Sequence, residues 1–390
     1  MQSGKPADGT FGFRLPGKIL FGVGVSQKVG SEAEALSGRR ILFVTDRNLR
    51  RLGITGKIEE ALTGEGLDLD VFVDVEPEPS LEVAEVAADA GRKRKHDLVV
   101  GVGGGSVLDM AKIAAIAATN PGPMRRYVGV DKVKKPGLPR ILLPTTAGTG
   151  SEVTNVAVVT IAENEEKTAV VSPYMLGSVA MVDPSLTYAL PPSLTASTGL
   201  DALSHALEAV MSVNANPITD TLAYQSVALI FSHLAKACRD GDAESRYGMS
   251  LGSLVAGMSF GNAGVCLGHA AAYTFAVTYG VTHGTSCGLV LPYVFRFSAS
   301  AISWKLPKIA EAMGLGTEGL KTEELTLSIS DCIFELMDEV QMPRRLRDLG
   351  IPREAVPRMA EKLLNFKRLI LRSPEPLTKK KALKLIEEMW

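Results

Sequence analysis

Five histidines occur in the chain, His96, His205, His233, His269 and His283, and three of them stand in surroundings that suit a metal ion. In Thr198-Gly199-Leu200-Asp201-Ala202-Leu203-Ser204-His205-Ala206 a carboxylate and an imidazole are four residues apart. On a helix that spacing puts both on one face, a turn apart, where they can grip a single cation. Such a pair can equally just hydrogen-bond. His269 and His283 are fourteen residues apart. On one continuous helix they would share a side yet lie about 21 Å from each other. To meet at one ion the chain has to break between them, and Tyr279-Gly280-Val281-Thr282 offers the break. Gly268 and Gly284 beside them leave room for a close approach. Taken singly, both are ordinary core or surface histidines.

A second chemistry is suggested by HDLVVGVGGGSVL, His96 to Leu108, where an apolar run ends in glycines and a serine before a helical pattern begins. Glycine is costly in backbone entropy, so something approaches the main chain closely there or demands unusual torsions. The usual guest is a phosphate, held by the free N–H groups at a helix start. Gly103, Gly104 and Gly105 would admit it, with Ser106 as the helix cap. Asp109, in the first turn, would favour the helix dipole, hold the loop or meet a cofactor hydroxyl. The next strand ends in Pro144-Thr145-Thr146-Ala147-Gly148-Thr149-Gly150-Ser151-Glu152, another turn rich in hydroxyls and open amides. Two such turns at one sheet edge make a nucleotide site, since ligands of open α/β sheets sit outside the carboxyl ends of the strands. Phe21-Gly22-Val23-Gly24-Val25 is set aside: Gln27 breaks the GxGxxG pattern, and no clear strand precedes it.

These residues need elements to hold them. Up to about residue 190 short apolar runs alternate with amphipathic stretches. Strands are expected at Arg40–Asp46, Asp70–Val75, Leu98–Val102 and Ile141–Leu143, and helices at Leu81–Lys95 and Val107–Ala118. This is the β-α alternation of a parallel sheet covered on both faces. Asn155–Ile161 and Lys167–Val171 flank a polar turn and suggest a hairpin. After Pro191-Pro192-Ser193 the strand signals vanish and helical patterns run to Trp390. The expected division is an α/β dinucleotide-binding domain over 1–190 and an all-helical metal-binding domain over 191–390, with the ligand in the cleft between them.

Composition narrows the partners. Forty-two basic against 43 acidic side chains give no dedicated nucleic-acid surface. The basic Arg92-Lys93-Arg94-Lys95 suits the end of a helix. No apolar run reaches a membrane span of about 18 residues, and the N-terminus lacks the features of a signal peptide. Cys238, Cys266, Cys287 and Cys332 lack CxxC spacing and read as reduced thiols. A soluble cytoplasmic protein acting on small molecules is expected.

Together the motifs resemble those of the iron-containing (group III) alcohol dehydrogenase family. Gly103-Gly104-Gly105-Ser106 with Asp109, Ala111 and Lys112 resembles its GGGSxxDxAK signature, and Pro144 to Glu152 its PTTxGTGSE turn. Asp201, His205, His269 and His283 match its four metal-ligand positions, and the likeness runs from Gly22 to Trp390. The resemblance implies a Rossmann-like N-terminal domain, an all-α C-terminal domain (the dehydroquinate synthase-like architecture), and a homodimer or higher homo-oligomer. It implies Fe(II), with Zn or Mn as alternatives, since one carboxylate and three imidazoles suit all three. It also implies NAD, with NADP possible: Asp46 matches an acid that accepts from the ribose hydroxyls and repels a 2′-phosphate. Gly103–Ser106, Asp109, Thr145, Thr146, Thr149 and Lys167 complete the cofactor set. Tyr273 stands where many members carry a second histidine, between metal and nicotinamide; a phenol is a poorer proton acceptor near neutrality. That tyrosine resembles the hydroxyacid–oxoacid transhydrogenase branch. Glu78 stands where some members have asparagine. The expected reaction is reversible hydride transfer between a small alcohol and its aldehyde or ketone. Phe260 and Gly261–Gly264 would border the substrate. A transhydrogenase, a dehydroquinate synthase-like cyclase or lyase, and a non-catalytic binding protein are the alternatives.

Overall fold

The structure, a computed structural model, describes residues 10–93, 95–161 and 166–390. The turn expected at 162–165, Arg94 of the basic cluster and the first nine residues lie outside them. The chain divides into two compact units, Leu15–Ala189 and a second formed by Leu190–Trp390 with residues 10–14.

The first unit is built on strands β1 (Lys18–Phe21), β2 (Arg40–Val44), β3 (Asp68–Phe72), β4 (Leu98–Gly103), β5 (Gly129–Val130), β6 (Arg140–Pro144), β7 (Val156–Ile161), β8 (Glu166–Val171) and β9 (Val179–Val182). Its helices are α1 (Val29–Ala35), α2 (Arg47–Arg51), α3 (Gly56–Gly64), α4 (Leu81–Lys93) and α5 (Gly105–Ala117). Six strands form a parallel sheet in the order β1-β9-β6-β4-β2-β3. A fully parallel sheet needs cover on both faces, and strand alternation supplies two apolar faces. Ile41, Phe43, Leu98, Val100, Val102, Ile141 and Leu143 pack against Val29, Ala33, Ile58 and Leu62 of α1 and α3. Leu42, Val44, Val99 and Leu142 face the other way, onto α4 and α5. Beside this sheet β7 and β8 form the expected antiparallel hairpin, and β5 joins β8 in parallel.

Two expectations are corrected. A strand does precede Gly22: β1, too short to stand out, pairs with β9 along Lys18–Phe21. The Gly22-Val23-Gly24 turn is nonetheless taken. Asp183 accepts from Gly24 N at 3.0 Å, Ser26 N at 3.1 Å and Ser26 Oγ at 2.6 Å, so a carboxylate of the chain itself occupies the place a phosphate would want. Helix α5 begins at Gly105, two residues before the expected start, which puts Ser106 inside the first turn instead of at the cap and Asp109 beyond that turn.

The second unit is helical throughout: α6 (Pro192–Met211), α7 (Pro217–Arg239), α8 (Ala243–Ala263), α9 (Leu267–Ala272), α10 (His283–Ser298), α11 (Leu306–Ala312), α12 (Thr322–Glu339), α13 (Val356–Leu363), α14 (Lys367–Ile370) and α15 (Lys379–Met389). Helix α6 carries small and apolar residues on every side and is buried without interruption from Gly199 to Met211. A helix apolar all round is a central one, and α6 packs against α7, α8 and α10. Among the described residues no helix is long and apolar enough to cross a membrane.

Candidate active site

The helical unit brings the four anticipated ligands together. Asp201 and His205 lie a turn apart on α6, His269 lies in α9, and His283 opens α10. The break between the last two comes sooner than expected, because α9 stops at Ala272, although Gly280 does take a left-handed φ of 63°. Asp201 Oδ1 lies 3.9 Å from His205 Nε2, 3.9 Å from His269 Nε2 and 3.6 Å from His283 Nε2. His205 Nε2 and His269 Nε2 face each other at 3.1 Å. One ligand atom from each residue falls within 4.8 Å of all the others. Ligands bonded at about 2.0–2.2 Å around a tetrahedral ion are ~3.4 Å apart. Asp201 is buried, and its Oδ1 has no hydrogen-bond donor. An orphaned carboxylate oxygen ringed by three imidazole nitrogens is the donor set of a divalent cation, so the residues present fit one. The remaining histidines have ordinary roles: His96 Nε2 lies 3.3 Å from Asp70 Oδ2, and His233 Nδ1 bonds to Leu229 O at 2.8 Å.

Aromatic rings wall this cluster. Phe260 stacks on His205 with centroids 3.9 Å apart. Tyr273 sets its ring 5.7 Å from that of His283, edge-on to His269 at 6.1 Å and against Phe366 at 5.6 Å. Burial pushes the Tyr273 phenol far above its ordinary range. It therefore stays protonated near neutrality, able to donate a hydrogen bond and unable to take a proton. Reading the sequence for ligands passed over Glu208, three residues beyond His205, whose Oε1 lies 2.5 Å from His269 Nδ1. The signal was present as the helical spacing of Asp201, His205 and Glu208.

The α/β unit places the two Gly and Thr turns side by side, because β4 and β6 are neighbours with Gly103 opposite Pro144. The glycines turn out to serve packing as well as any guest. None of Gly103, Gly104 and Gly105 has a positive φ. A Cβ on Gly103 would sit 2.5 Å from Val107 Cβ, and one on Gly105 would sit 2.7 Å from Thr149 Cγ2. Only Gly104 has room, its nearest neighbour being Thr146 Cγ2 at 3.5 Å. Gly104 is also the N-cap of α5 and supplies no side chain, so the first amides of the helix keep their donors for something else. Thr146 Oγ1 is buried without a hydrogen-bond partner. Open amides at a helix start beside an orphaned hydroxyl fit a phosphate group.

The other cofactor candidates are tied to their neighbours. Thr145 N donates to Gly103 O at 3.0 Å, and Thr149 Oγ1 accepts from Ser151 N at 3.3 Å. Asp109 accepts from Ser151 Oγ at 2.6 Å and Val158 N at 2.8 Å, so it holds the loop. Beneath it the fully buried Lys112 donates to Ser151 O and Val156 O at 2.8 and 2.6 Å and reaches Asp109 Oδ1 at 3.1 Å. Asp46 caps α2, its Oδ1 accepting from Asn48 N and Leu49 N. Lys167 is not the solvated hairpin lysine its position suggests: its side chain is 5% exposed and its Nζ lies 3.0 Å from Glu78 Oε2. Glu78, with a φ of 52°, also donates its N–H to Ser106 Oγ at 3.2 Å, which links the glycine turn to that ion pair.

Comparison with known proteins gives matching results for both units. The family model described as "Iron-containing alcohol dehydrogenase" matches residues 16–184, and that described as "Fe-containing alcohol dehydrogenase family, C-terminal" matches 195–390. The long-chain-alcohol dehydrogenase 1 of Geobacillus thermodenitrificans (strain NG80-2) is 40% identical over 360 residues, 91% of each chain. The crystal structure of a 1,3-propanediol oxidoreductase superposes with a TM-score of 0.94 at 35% identity, covering 98% of this chain and 100% of that one. The sulfoacetaldehyde reductase of Bifidobacterium kashiwanohense, solved in complex with NAD+, has a TM-score of 0.88 at 30% identity over 98% of this chain and 99% of its own.

Proposed function

The chain belongs to the iron-containing alcohol dehydrogenase family, and from that premise we propose that it interconverts a small alcohol and its aldehyde or ketone, using Fe(II) or Zn and NAD. The observation that carries this reading is the convergence of one carboxylate and three imidazoles, each pair of ligand atoms within 4.8 Å. When bound, the cation supplies Lewis acidity at the substrate oxygen and the nicotinamide exchanges hydride. The chain's own residues do the rest. Asp201 contributes the one negative charge of the ligand set, and the three imidazoles are neutral donors. Phe260 and Tyr273 keep water from the cluster, and Tyr273 orients the substrate without carrying its proton. Gly104 and the first amides of α5 receive the cofactor phosphates, with Thr146 Oγ1 as a further donor. Lys112, Asp109 and Ser151 hold the second turn in place. Asp46 supports NAD over NADP, since a carboxylate there repels a 2′-phosphate; the NAD+ complex of the sulfoacetaldehyde reductase supports the same preference.

The test is reconstitution with Fe(II) or Zn, followed by assays of short alcohols, diols, aldehydes and hydroxyacids with NAD(H) and NADP(H). Cation-dependent turnover of at least one alcohol is the expected result. His269→Ala should lose the cation and turnover together, and full activity in that variant would sink the ligand assignment. Asp46→Gly should narrow the preference for NAD over NADP, read as the ratio of kcat/KM with the two cofactors. Turnover between a hydroxyacid and a ketoacid without added NAD would point to the transhydrogenase reading that Tyr273 keeps open.

A further inference from the structure

Behind His269, on the side away from the other ligands, lies a carboxylate that the proposed reaction does not itself use. Glu208 is completely buried on α6. Its Oε2 accepts from Cys266 N at 2.6 Å and Gly268 N at 3.0 Å, and its Oε1 accepts from His269 N at 3.1 Å. The same Oε1 lies 2.5 Å from His269 Nδ1. These backbone donors are the orphan amides at the start of α9, a helix of only six residues. Space has been cleared for the contact: a Cβ on Gly268 would sit 2.5 Å from Glu208 Oε1 and 2.8 Å from its Cδ. Asp201, His205 and Glu208 fall on one face of α6. One helix face thus carries two ligands and the group that grips the third.

We propose that Glu208 is a positioning residue for the cation: it holds the proton of His269 on Nδ1 and so turns the Nε2 lone pair toward Asp201 and His205. A buried carboxylate with no proton of its own can only accept, so the ring nitrogen facing it has to be the donor. The other nitrogen is then the acceptor, and it is the atom 3.1 Å from His205 Nε2 and 3.9 Å from Asp201 Oδ1. Three backbone N–H groups, those of Cys266, Gly268 and His269, converge on its two oxygens, so Glu208 is an acceptor on every side that faces α9. Carboxylates behind metal-bound imidazoles set ring orientation and basicity in just this manner. The inference rests on the reading that the four residues share a cation.

The experiment compares cation affinity in the full-length wild type and Glu208→Gln, each stripped with a chelator and titrated with Zn in competition with a chromophoric chelator. The amide keeps the shape but turns an N–H2 group toward one set of donors. The expected result is a Kd for Zn raised about 10- to 100-fold in the variant with its circular dichroism unchanged. A Kd within twofold of wild type overturns the proposal. So does a lower Tm in the metal-free variant with undiminished affinity, because Glu208 would then be only a helix cap. If Glu208→Gln does not fold, nitrogen-15 spectra of histidine-labelled, metal-free wild type decide. A proton on Nδ1 of His269 is expected, and the neutral Nε2–H tautomer overturns the proposal. A wild-type chain that retains no cation removes the parent reading as well; wild-type binding matched by the variant removes this one alone.

Discussion

Tyr273 and Glu152 show how burial sets what a single titratable group can do. A proton carrier in a dehydrogenase is worth about 10²–10⁴ in rate. A phenol held neutral among the rings of His269, His283 and Phe366 cannot act as one by accepting. Tyr273→Phe is therefore expected to keep kcat within about tenfold of wild type, whereas Tyr273→Ala, which opens the wall, should raise KM more than it lowers kcat. Steady-state kinetics on the best alcohol substrate separates the two. Glu152 lies at the end of the Thr/Gly turn, fully enclosed, and burial pushes its carboxyl from 4.5 up to about 7. The folded state holds that proton more tightly than the unfolded chain. Its contribution is therefore undiminished below about 4.5, is lost as pH rises toward 7, and changes no further above that. The loss is on the order of 3 kcal/mol. Glu152→Gln should remove the slope. The stability of wild type relative to that variant is expected to fall between pH 5 and pH 8 in urea titrations, and a constant difference would contradict the assignment.

At the scale of elements, the seating of α5 on β4 decides the shape of the glycine turn proposed to take the nucleotide. Gly101 and Gly103 point to the same face of the strand, where a Cβ would meet Ala111 Cβ at 2.7 Å and Val107 Cβ at 2.5 Å. Gly103→Ala has to push the first turn of α5 outward, an overpacking expected to cost about 1–3 kcal/mol and to weaken NAD binding. Urea denaturation and fluorescence titration with NADH check the two effects. The same packing explains what the sequence disclosed and what it hid. Strands buried on both faces appear as unbroken apolar runs, as in Leu98–Gly103 and, after Arg140, in the rest of β6. The four-residue β1 is at the sheet edge and only partly buried; its apolar Ile19-Leu20-Phe21 is as long as Ile141–Leu143, but no helical pattern precedes it to frame it as part of the β-α alternation. A serine before an apolar run is normally the helix cap, whereas here Gly104 fills that position and Ser106 lies within the first turn. The four candidate ligands, which the fold brings together, were legible through a helical period and a resemblance. Glu208 lay in the same period but needed α9 in place to show its purpose. The clamp of Asp183 on Ser26 spans 157 residues, and no local pattern announces it.

For the whole molecule, the proposed cation would add to the stability of the fold. A ligand at a hundred times its Kd adds about 2.7 kcal/mol, and each kcal/mol moves the Tm of a domain of 150–250 residues by about 2–4 °C. Chelation is expected to lower the melting transition by several degrees and added Zn to restore it, while Asp201→Ala should respond to neither; differential scanning calorimetry reads all three. The resemblance further leads to the expectation of a homodimer, a particle of about twice 41.4 kDa by light scattering. The helical unit takes residues 10–14 from one end of the chain and everything from Leu190 onward from the other, with Leu15–Ala189 in between. On the ribosome this fixes a schedule. Every amide and hydroxyl of the proposed phosphate cradle has been translated before the first candidate cation donor, Asp201 of 390 residues, leaves the tunnel. On the proposed reading, loading with iron or zinc would thus be a late event in the life of the nascent polypeptide, since the last of the four candidate donors is His283.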